Sequence, residues 1–424
     1  MLIHVVKQGD TLKSVADQYG VSVERIMTDN GIDHITTLVL GQALVILIPK
    51  TIHVVASAET ITSIANNYGI SQINLLQNNP NLINNPVLYE GEVLVITFEG
   101  EKLRSGRFNG YAYPFIDKNI LRTALTYMTT LTIFGYGFTA QGELIPIDDE
   151  ELIREAYSLK TSPMMLISSI DENGNFSNEH AETLFASSTA TQTLITNIIN
   201  TMYIKGYIGL DIDFEFIQDK ENYLSFISSV TTRLHAEGFI VNVDLAPKTS
   251  STQVGLIYQA HDYKRIGEIA DLVLLMTYEW GYTYGPPMAV APIDQVRRVI
   301  DYAVTQIDVN KIMIGIPNYG YDWTLPYVRG ETVAVIIGNS EAIDIAAKNQ
   351  ATIEFDTLAM SPYFYYTDAA GKAHVVWFED ARSIEAKLKL INEYKLLGGG
   401  YWNLMRKFPP NWAVLNSLYT INKL

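Results

Sequence analysis

Residues 207–215 read Tyr207-Ile208-Gly209-Leu210-Asp211-Ile212-Asp213-Phe214-Glu215. Successive side chains of a β-strand point to opposite faces, so Asp211, Asp213 and Glu215 share one face while Leu210, Ile212 and Phe214 share the other. Solvated surface acids do not explain the pattern, because the alternating Leu, Ile and Phe demand a buried strand. In a closed barrel the apolar face meets an outer layer of helices and the acidic face points inward. Glu215 ends the run at the C-terminal mouth, and Asp213 and Asp211 lie ~6 to 7 Å deeper for each two residues.

Working outward from that strand, short apolar runs alternate with longer helical patterns over residues 98–424, as in βα units with a parallel sheet. Candidate strands are Asn109 to Phe115, Thr132 to Phe138, Met164 to Ser168, Ile208 to Phe214, Ile240 to Asp244, Asp271 to Tyr278, Lys311 to Pro317 and Gly399 to Leu404. Helical patterns include Ala181 to Lys205, Lys220 to Glu237 and Ile293 to Gln306. Eight strands with intervening helices predict an α/β fold, a (β/α)8 TIM barrel over residues 105–424. An open doubly wound sheet would want a phosphate-binding glycine loop, and neither GxGxxG nor GxxxxGK[ST] occurs. The interval 319–379 is too long for one helix and carries strand-like pieces at Tyr363 to Thr367 and His374 to Phe378, which predicts a small α+β insertion.

The N-terminal part repeats itself. Ile3-His4-Val5-Val6 recurs as Ile52-His53-Val54-Val55, Ser14-Val15-Ala16 as Ser63-Ile64-Ala65, and Tyr19-Gly20 as Tyr68-Gly69. Each copy predicts a strand, two helices and a closing strand, with Gly20 or Gly69 at the C-cap of the first helix. The two βααβ units span residues 1–48 and 51–97.

Composition narrows the function. With 46 acidic against 30 basic side chains the formal charge is -16, which repels nucleic acid and anionic lipid. Zero cysteines exclude disulfides, thiolate metal sites and cysteine nucleophiles. The first residues lack the features of a classical signal peptide, and no span approaches the ~18 to 20 apolar residues of a membrane helix. A soluble monomer is expected, with neither nucleic acid nor membrane as partner. No cofactor and no metal are expected, since the seven histidines show no metal-ligand spacing.

Three carboxylates pointing into a low-dielectric barrel cannot all stay ionised cheaply, so at least one holds a proton near neutral pH. That arrangement does nothing for folding. A carboxyl at the mouth reaches a bound substrate and, if kept protonated, cleaves a glycosidic bond as a general acid. A divalent-cation site is the competing reading, although no neighbouring strand end supplies a matching acidic set.

Residues 208–215 resemble the DxxDxDxE strand of family 18 glycoside hydrolases, the chitinase-like (β/α)8 enzymes. The last three acids match, and the first position is Ile208 in place of aspartate. Met276-Thr277-Tyr278-Glu279 resembles the family's Met-x-Tyr-Asp, with Glu279 replacing aspartate; Gly315 to Gly320 resembles the seventh strand; Gly398-Gly399-Gly400-Tyr401-Trp402 resembles the eighth. The resemblance implies retention of configuration without a protein nucleophile, the substrate's 2-acetamido oxygen attacking instead. It implies that Glu215 protonates the leaving oxygen, that Asp213 orients the acetamido group, that Asp211 shares a proton with Asp213, and that Tyr278 donates to the acetamido carbonyl. Trp402 would stack beneath the sugar, its three preceding glycines letting a neighbouring chain or ligand approach. Glu279, Tyr113, Tyr136, Asn318 and Trp280 are further candidates for substrate contact, and Tyr111, Phe134, Tyr282 and Tyr284 are other aromatics at strand ends or loops.

The N-terminal repeats resemble LysM modules, which bind N-acetylglucosamine glycans. That likeness implies a groove between the first turn and the loop after the second helix: Gly9, Asp10, Thr11 and Leu12 with Asn30 and Ile32, then Thr60 and Ile61 with Asn79 and Leu82. The second copy departs from the pattern at Ala58 and Glu59.

A glycan-binding module joined to a glycan-cutting one raises the effective concentration of catalyst at an insoluble polymer. The combination is similar to the cortex-lytic N-acetylglucosaminidases of bacterial endospores. It implies hydrolysis of β-1,4 bonds at N-acetylglucosamine in spore cortex peptidoglycan or its fragments during germination, with deposition in the coat or cortex region, or alternatively at the cell wall. A chitinase or chito-oligosaccharide hydrolase is the alternative enzyme, and a non-catalytic chitin- or peptidoglycan-binding lectin the alternative of another class.

Overall fold

Eight parallel strands close into a barrel in the computed structural model of the protein, which describes residues 1–33 and 38–423. They are Arg104–Ala112, Thr130–Phe138, Ser162–Ser168, Gly209–Asp213, Ile240–Leu245, Leu272–Leu275, Ile312–Pro317 and Gly398–Trp402. Each pairs with the next, and the eighth returns to the first, matching Gly398 to Arg107 and Tyr401 to Gly110. This is the expected (β/α)8 barrel. A short strand, Leu144–Ile145, joins the second strand antiparallel, and Tyr419–Ile421 runs parallel to the start of the first.

The acidic strand behaves as its alternation requires. Leu210, Ile212 and Phe214 are buried between barrel and helices, where Phe214 meets Phe185 at 5.3 Å and Phe226 at 5.8 Å between ring centres. The interior holds an apolar cluster of Leu166, Leu272, Leu274 and Met313 with Tyr111 and Phe134. The glycines of the eighth strand serve this packing rather than a ligand. A Cβ on Gly398 would lie 1.6 Å from the Arg107 carbonyl oxygen, and one on Gly400 would lie 2.5 Å from Leu274 Cδ1.

The helix expected from Ala181 to Lys205 is two, Asn178–Ala186 and Ser188–Lys205. The Ser187 side chain accepts from the Ala190 amide and caps the second, a role that serine fills better than helix interior. Residues after the seventh strand form a five-stranded antiparallel sheet in the order Val335–Ile337, Gly320–Thr324, Ala373–Trp377, Ser361–Thr367 and Glu354–Asp356, with the helix Asn339–Lys348. The sheet has its own core, including Ile337, Phe364, Val376 and Phe378.

In the first N-terminal repeat, Leu2–Val5 pairs antiparallel with Ala43–Ile46 around helices Leu12–Tyr19 and Val23–Asn30. In the second, Pro49–Val54 pairs with Val93–Phe98 around Ile61–Asn67 and Gln72–Asn78, with a further short helix Asn81–Asn84. Ala58 takes the same left-handed backbone (φ 65°) as Gly9 (φ 90°), so the altered turn of the second copy keeps its shape. Glu59 then repeats the bonding of Asp10. Each accepts a backbone amide at 2.7 Å, from Lys7 or Ala56, and contacts a histidine Nε2, at 3.0 Å for His4 and 2.7 Å for His53.

Both repeats are bolted to the barrel. Ile353 donates its amide to Leu40 O at 2.9 Å, and Arg382 reaches Gly41 O at 3.3 Å. A Cβ on Gly31 would fall 2.7 Å from Pro409 Cγ. The second repeat exchanges Gln77 Nε2 to Thr126 O (2.9 Å) and Tyr127 Oη to Gln77 O (3.0 Å), while Arg25 of the first repeat donates to Asn78 O at 2.9 Å. Among the described residues, no helix is long and apolar enough to cross a membrane.

Candidate active site

Five carboxyls converge on the C-terminal half of the barrel: Asp211, Asp213 and Glu215 from the fourth strand, Asp244 from the fifth and Glu279 beyond the sixth. Depth separates them. Asp211 and Asp244 lie fully inside, Asp213 retains 8% exposure, and Glu215 opens onto the mouth.

Asp211 is held at both oxygens, accepting Asn242 Nδ2 at 2.6 Å and Thr132 Oγ1 at 3.1 Å. The same Asn242 amide donates to Asp244 Oδ1 at 2.9 Å, which links Asp244 to Asp211, while the charge of Asp211 also acts on Asp213. Asn242 sits opposite Asp211 in the register, with Asp244 two residues further up its strand on the same face, so the Asn242 amide bridges the two acids diagonally across the strand pair. Asp213 Oδ1 is buried without a hydrogen-bond partner. Burial pushes the Asp213 carboxyl well above the usual range, and the Glu215 and Asp211 charges add to it. Glu215 is raised as well, by burial first and then by Glu279. A protonated Glu215 beside an unsatisfied Asp213 oxygen is the electrostatic state that general-acid cleavage needs.

Tyr278 projects over these acids. Burial pushes its hydroxyl well above the ordinary value, followed by the charges of Asp244, Asp213, Glu215 and Glu279, so the phenol remains a donor. Its ring has room because residue 315 is glycine: a Cβ there would lie 2.5 Å from Tyr278 Cε1. The left-handed backbone of Glu279 (φ 66°) breaks the alternation, and its carboxyl joins Tyr278 at the mouth. There it accepts the hydroxyls of Tyr319 and, at 2.9 and 3.0 Å, Tyr321.

Trp402 closes the eighth strand within an aromatic cluster, 5.7 Å from Tyr111, 5.4 Å from Phe134 and 6.1 Å from Tyr113 between ring centres. Tyr113 is raised by burial and by the charge of Asp213, which places it on the same cleft. Trp280 is half-buried and packs against the main core, its amide bonded to Val290 O.

Two candidates for substrate contact are turned away from the cleft. The second strand has a register irregularity between Ile133 and Tyr136, which reverses the facing of Tyr136; its hydroxyl donates to Asp149 at 2.5 Å in a cluster with Lys205 and Tyr207. Asn318 is buried beneath the mouth, its amide donating to Asn403 O at 2.8 Å and Arg406 O at 3.0 Å, so it positions the Trp402 loop.

The N-terminal candidates divide similarly. Asn30 and Asn79 are buried, and each bonds both ways with the closing strand: Asn30 Oδ1 accepts Val45 N at 2.7 Å and Asn79 Oδ1 accepts Val95 N at 2.8 Å, with Nδ2 returning to the carbonyls. Their side chains are framework and are not free for a glycan. Leu12 and Leu82 are core residues of their repeats. Thr11 and Thr60 cap the first helices, accepting from Ser14 N and Ser63 N. Gly9, Asp10, Ile32 and Ile61 remain exposed or half-buried.

The model of glycosyl hydrolases family 18 matches residues 119–406. The chain belongs to that family. Within this family 18 chain, residues 4–47 and 53–97 match the LysM domain. Similar proteins include the cortical fragment-lytic enzyme of Bacillus subtilis (strain 168), 42% identical across 100% of this chain and 99% of that one. Among solved structures, the Bacillus cereus spore cortex-lytic enzyme SleL is 35% identical with a TM-score of 0.84, over 100% and 99% of the two chains. A chitinase from Chromobacterium violaceum ATCC 12472 is 26% identical with a TM-score of 0.69, over 74% of this chain and 98% of its own.

Sequence reasoning missed Asp244, Asn242, Thr132, Tyr319 and Tyr321 as parts of this family 18 site. A signal existed for two of them: in Val241-Asn242-Val243-Asp244-Leu245, polar residues alternate with apolar ones as they do in the fourth strand.

Proposed function

We propose that the protein hydrolyses β-1,4 glycosidic bonds at N-acetylglucosamine in bacterial peptidoglycan, namely spore cortex or its fragments during germination, with retention and with help from the substrate's own acetamido group. The observation that carries the reading is the graded carboxyl column, in which a raised Glu215 sits at the mouth above an unsatisfied Asp213, with Tyr278 and Trp402 around the same space. Full-length likeness to a cortical fragment-lytic enzyme and to a spore cortex-lytic enzyme supports the choice of substrate and the spore as the place of action.

Glu215 gives its proton to the departing glycosidic oxygen. The acetamido oxygen attacks the anomeric carbon from the opposite side, Asp213 accepts the acetamido N–H, and Tyr278 donates to the acetamido oxygen. Water then opens the cyclic intermediate as Glu215 takes a proton back. Glu279 is a poor candidate for a protein nucleophile, since hydroxyls of Tyr319 and Tyr321 occupy its oxygens. The LysM units hold the same polymer, and the protein acts as a monomer.

The test is release of reducing ends from cortex fragments and from chitin oligomers by wild type and Glu215→Gln. Loss of more than ~100-fold in turnover is expected for removal of a general acid. Wild-type rates in the variant, or undiminished cleavage of an analogue lacking the acetamido group, would overturn the mechanism. Faster turnover of chitin oligomers than of cortex fragments would favour the chitinase reading, to which the likeness to the Chromobacterium chitinase also points.

A further inference from the structure

Asp244 is a buried acid with no part in the reaction as derived so far. Its Oδ1 accepts Tyr111 Oη at 2.8 Å and Asn242 Nδ2 at 2.9 Å. The Asn242 amide forks, since it also donates to Asp211 Oδ1 at 2.6 Å, and it thereby draws the two carboxyls together. Asp211 has both oxygens occupied by donors, Asn242 and Thr132, so its surroundings favour a carboxylate. Asp244 has donors at Oδ1 only, which leaves Oδ2 to carry a proton toward Asp211. Two adjacent carboxyls in a closed interior cannot both ionise, and one proton between them is the lowest state.

We propose that Asp244 is a positioning residue that holds the single proton of the Asp211–Asp244 pair, keeping Asp211 as the one fixed negative charge beneath Asp213. That charge discourages ionisation of Asp213, and Asp213 in turn bears on Glu215, so the pair sets from below how firmly the acid at the mouth keeps its proton. The groups facing Asp244 are Asp211 and Asp213 on the fourth strand, Tyr111 on the first, Tyr278 after the sixth and Tyr223 from the helix Lys220–Ala236, together with Asn242 on its own strand. All the tyrosines are neutral donors, so the pair's charge is decided by its own proton. Ile208, where the family 18 pattern has an aspartate, supplies no carboxyl to this network, and Asp244 brings one from the adjacent strand.

The proposal rests on Glu215 as the acid, and its test separates the two. Asp244→Asn places an amide donor where the proton would be, with its oxygen still facing Tyr111 and Asn242. Asp244→Ala removes the donor. In the alanine variant Asp211 loses the O–H that Asp244 presents and holds its charge less well, so Asp213 ionises more readily and Glu215, facing that second charge, keeps its proton to higher pH. The full-length variants are assayed on soluble cortex fragments for kcat, KM and the pH at which activity falls on the alkaline side, with thermal unfolding as a check on folding. Expected are an asparagine variant within about threefold of wild-type kcat with the alkaline limb in place, and an alanine variant roughly 10- to 100-fold slower at unchanged KM with that limb at higher pH. An alanine variant with the wild-type rate and limb, or an asparagine variant as impaired and shifted as the alanine one, overturns the proposal. If Glu215→Gln alone proves fully active, the underlying assignment fails instead.

Discussion

The barrel and the LysM turns use carboxylates in opposite ways. Asp10 and Glu59 accept backbone amides and a histidine at the surface, and those amides pull their carboxyls below the usual range. Asp213 and Asp244 lie in a closed interior where burial drives them far above it. In the turns the charged form supports the fold. In the barrel it is penalised, and the fold tolerates the penalty because the chemistry needs a retained proton. Which of the two applies follows from what surrounds the oxygen atoms and not from the residue type.

Substituting the least satisfied acid gives the largest expected effect. Asp213→Asn should lower turnover by about 100-fold or more on soluble fragments, while thermal stability stays level or rises because one acid is removed from a crowd of buried carboxyls. A drop in stability comparable to that of a core truncation would mean the acid also serves the fold.

A buried cation offers the complementary case. Lys423 crosses the underside of the barrel and donates to Leu125 O and Met128 O, both at 2.6 Å, and to Thr161 Oγ1 at 3.0 Å. Burial pushes its pKa down to about 7, and that of Lys102 down to about 8. The unfolded chain then binds more protons between those values and about 10.4, so stability should rise as pH increases from 7 toward 10, each lysine contributing at most about 1.4 kcal/mol per pH unit. Urea midpoints at pH 7 and pH 9 read this slope. In Lys423→Met it should flatten, and an unchanged slope would place the pH dependence elsewhere.

The smallest effect belongs to the turns. Asp10→Asn with Glu59→Gln should leave turnover of soluble fragments unchanged and slightly lower stability near neutral pH. Because both pKa values are depressed in the folded state, their contribution is present above the ordinary carboxylate range and fades as pH falls through the lowered values, so wild type and double variant should converge in acid melts. A difference that grows toward low pH would contradict the sign.

Much of this was legible from the chain. Strand alternation at Leu210 to Glu215 and the recurring His-Val-Val and Tyr-Gly pairs follow from local periodicity, and the structure keeps both. What escaped depends on relations between strands. Asp244 becomes the partner of Asp211 only through the pairing of Asn242 with Asp211, and Tyr136 turns outward only through an irregularity against the third strand. Asn30, Asn79 and Asn318 look like loop residues available to ligand, yet each spends its amide on buried backbone groups that would otherwise lack partners.

Finally, the seating of Gly31 against Pro409 and of Leu40 against Ile353 removes the hinge that a tethered catalyst normally has. A swinging tether sweeps a sphere of bonds from one foothold; this molecule, once attached, faces a single fixed offset along the wall. Progress through an insoluble substrate must then come from letting go and landing again, so overly tight adhesion by the N-terminal units would slow digestion rather than speed it.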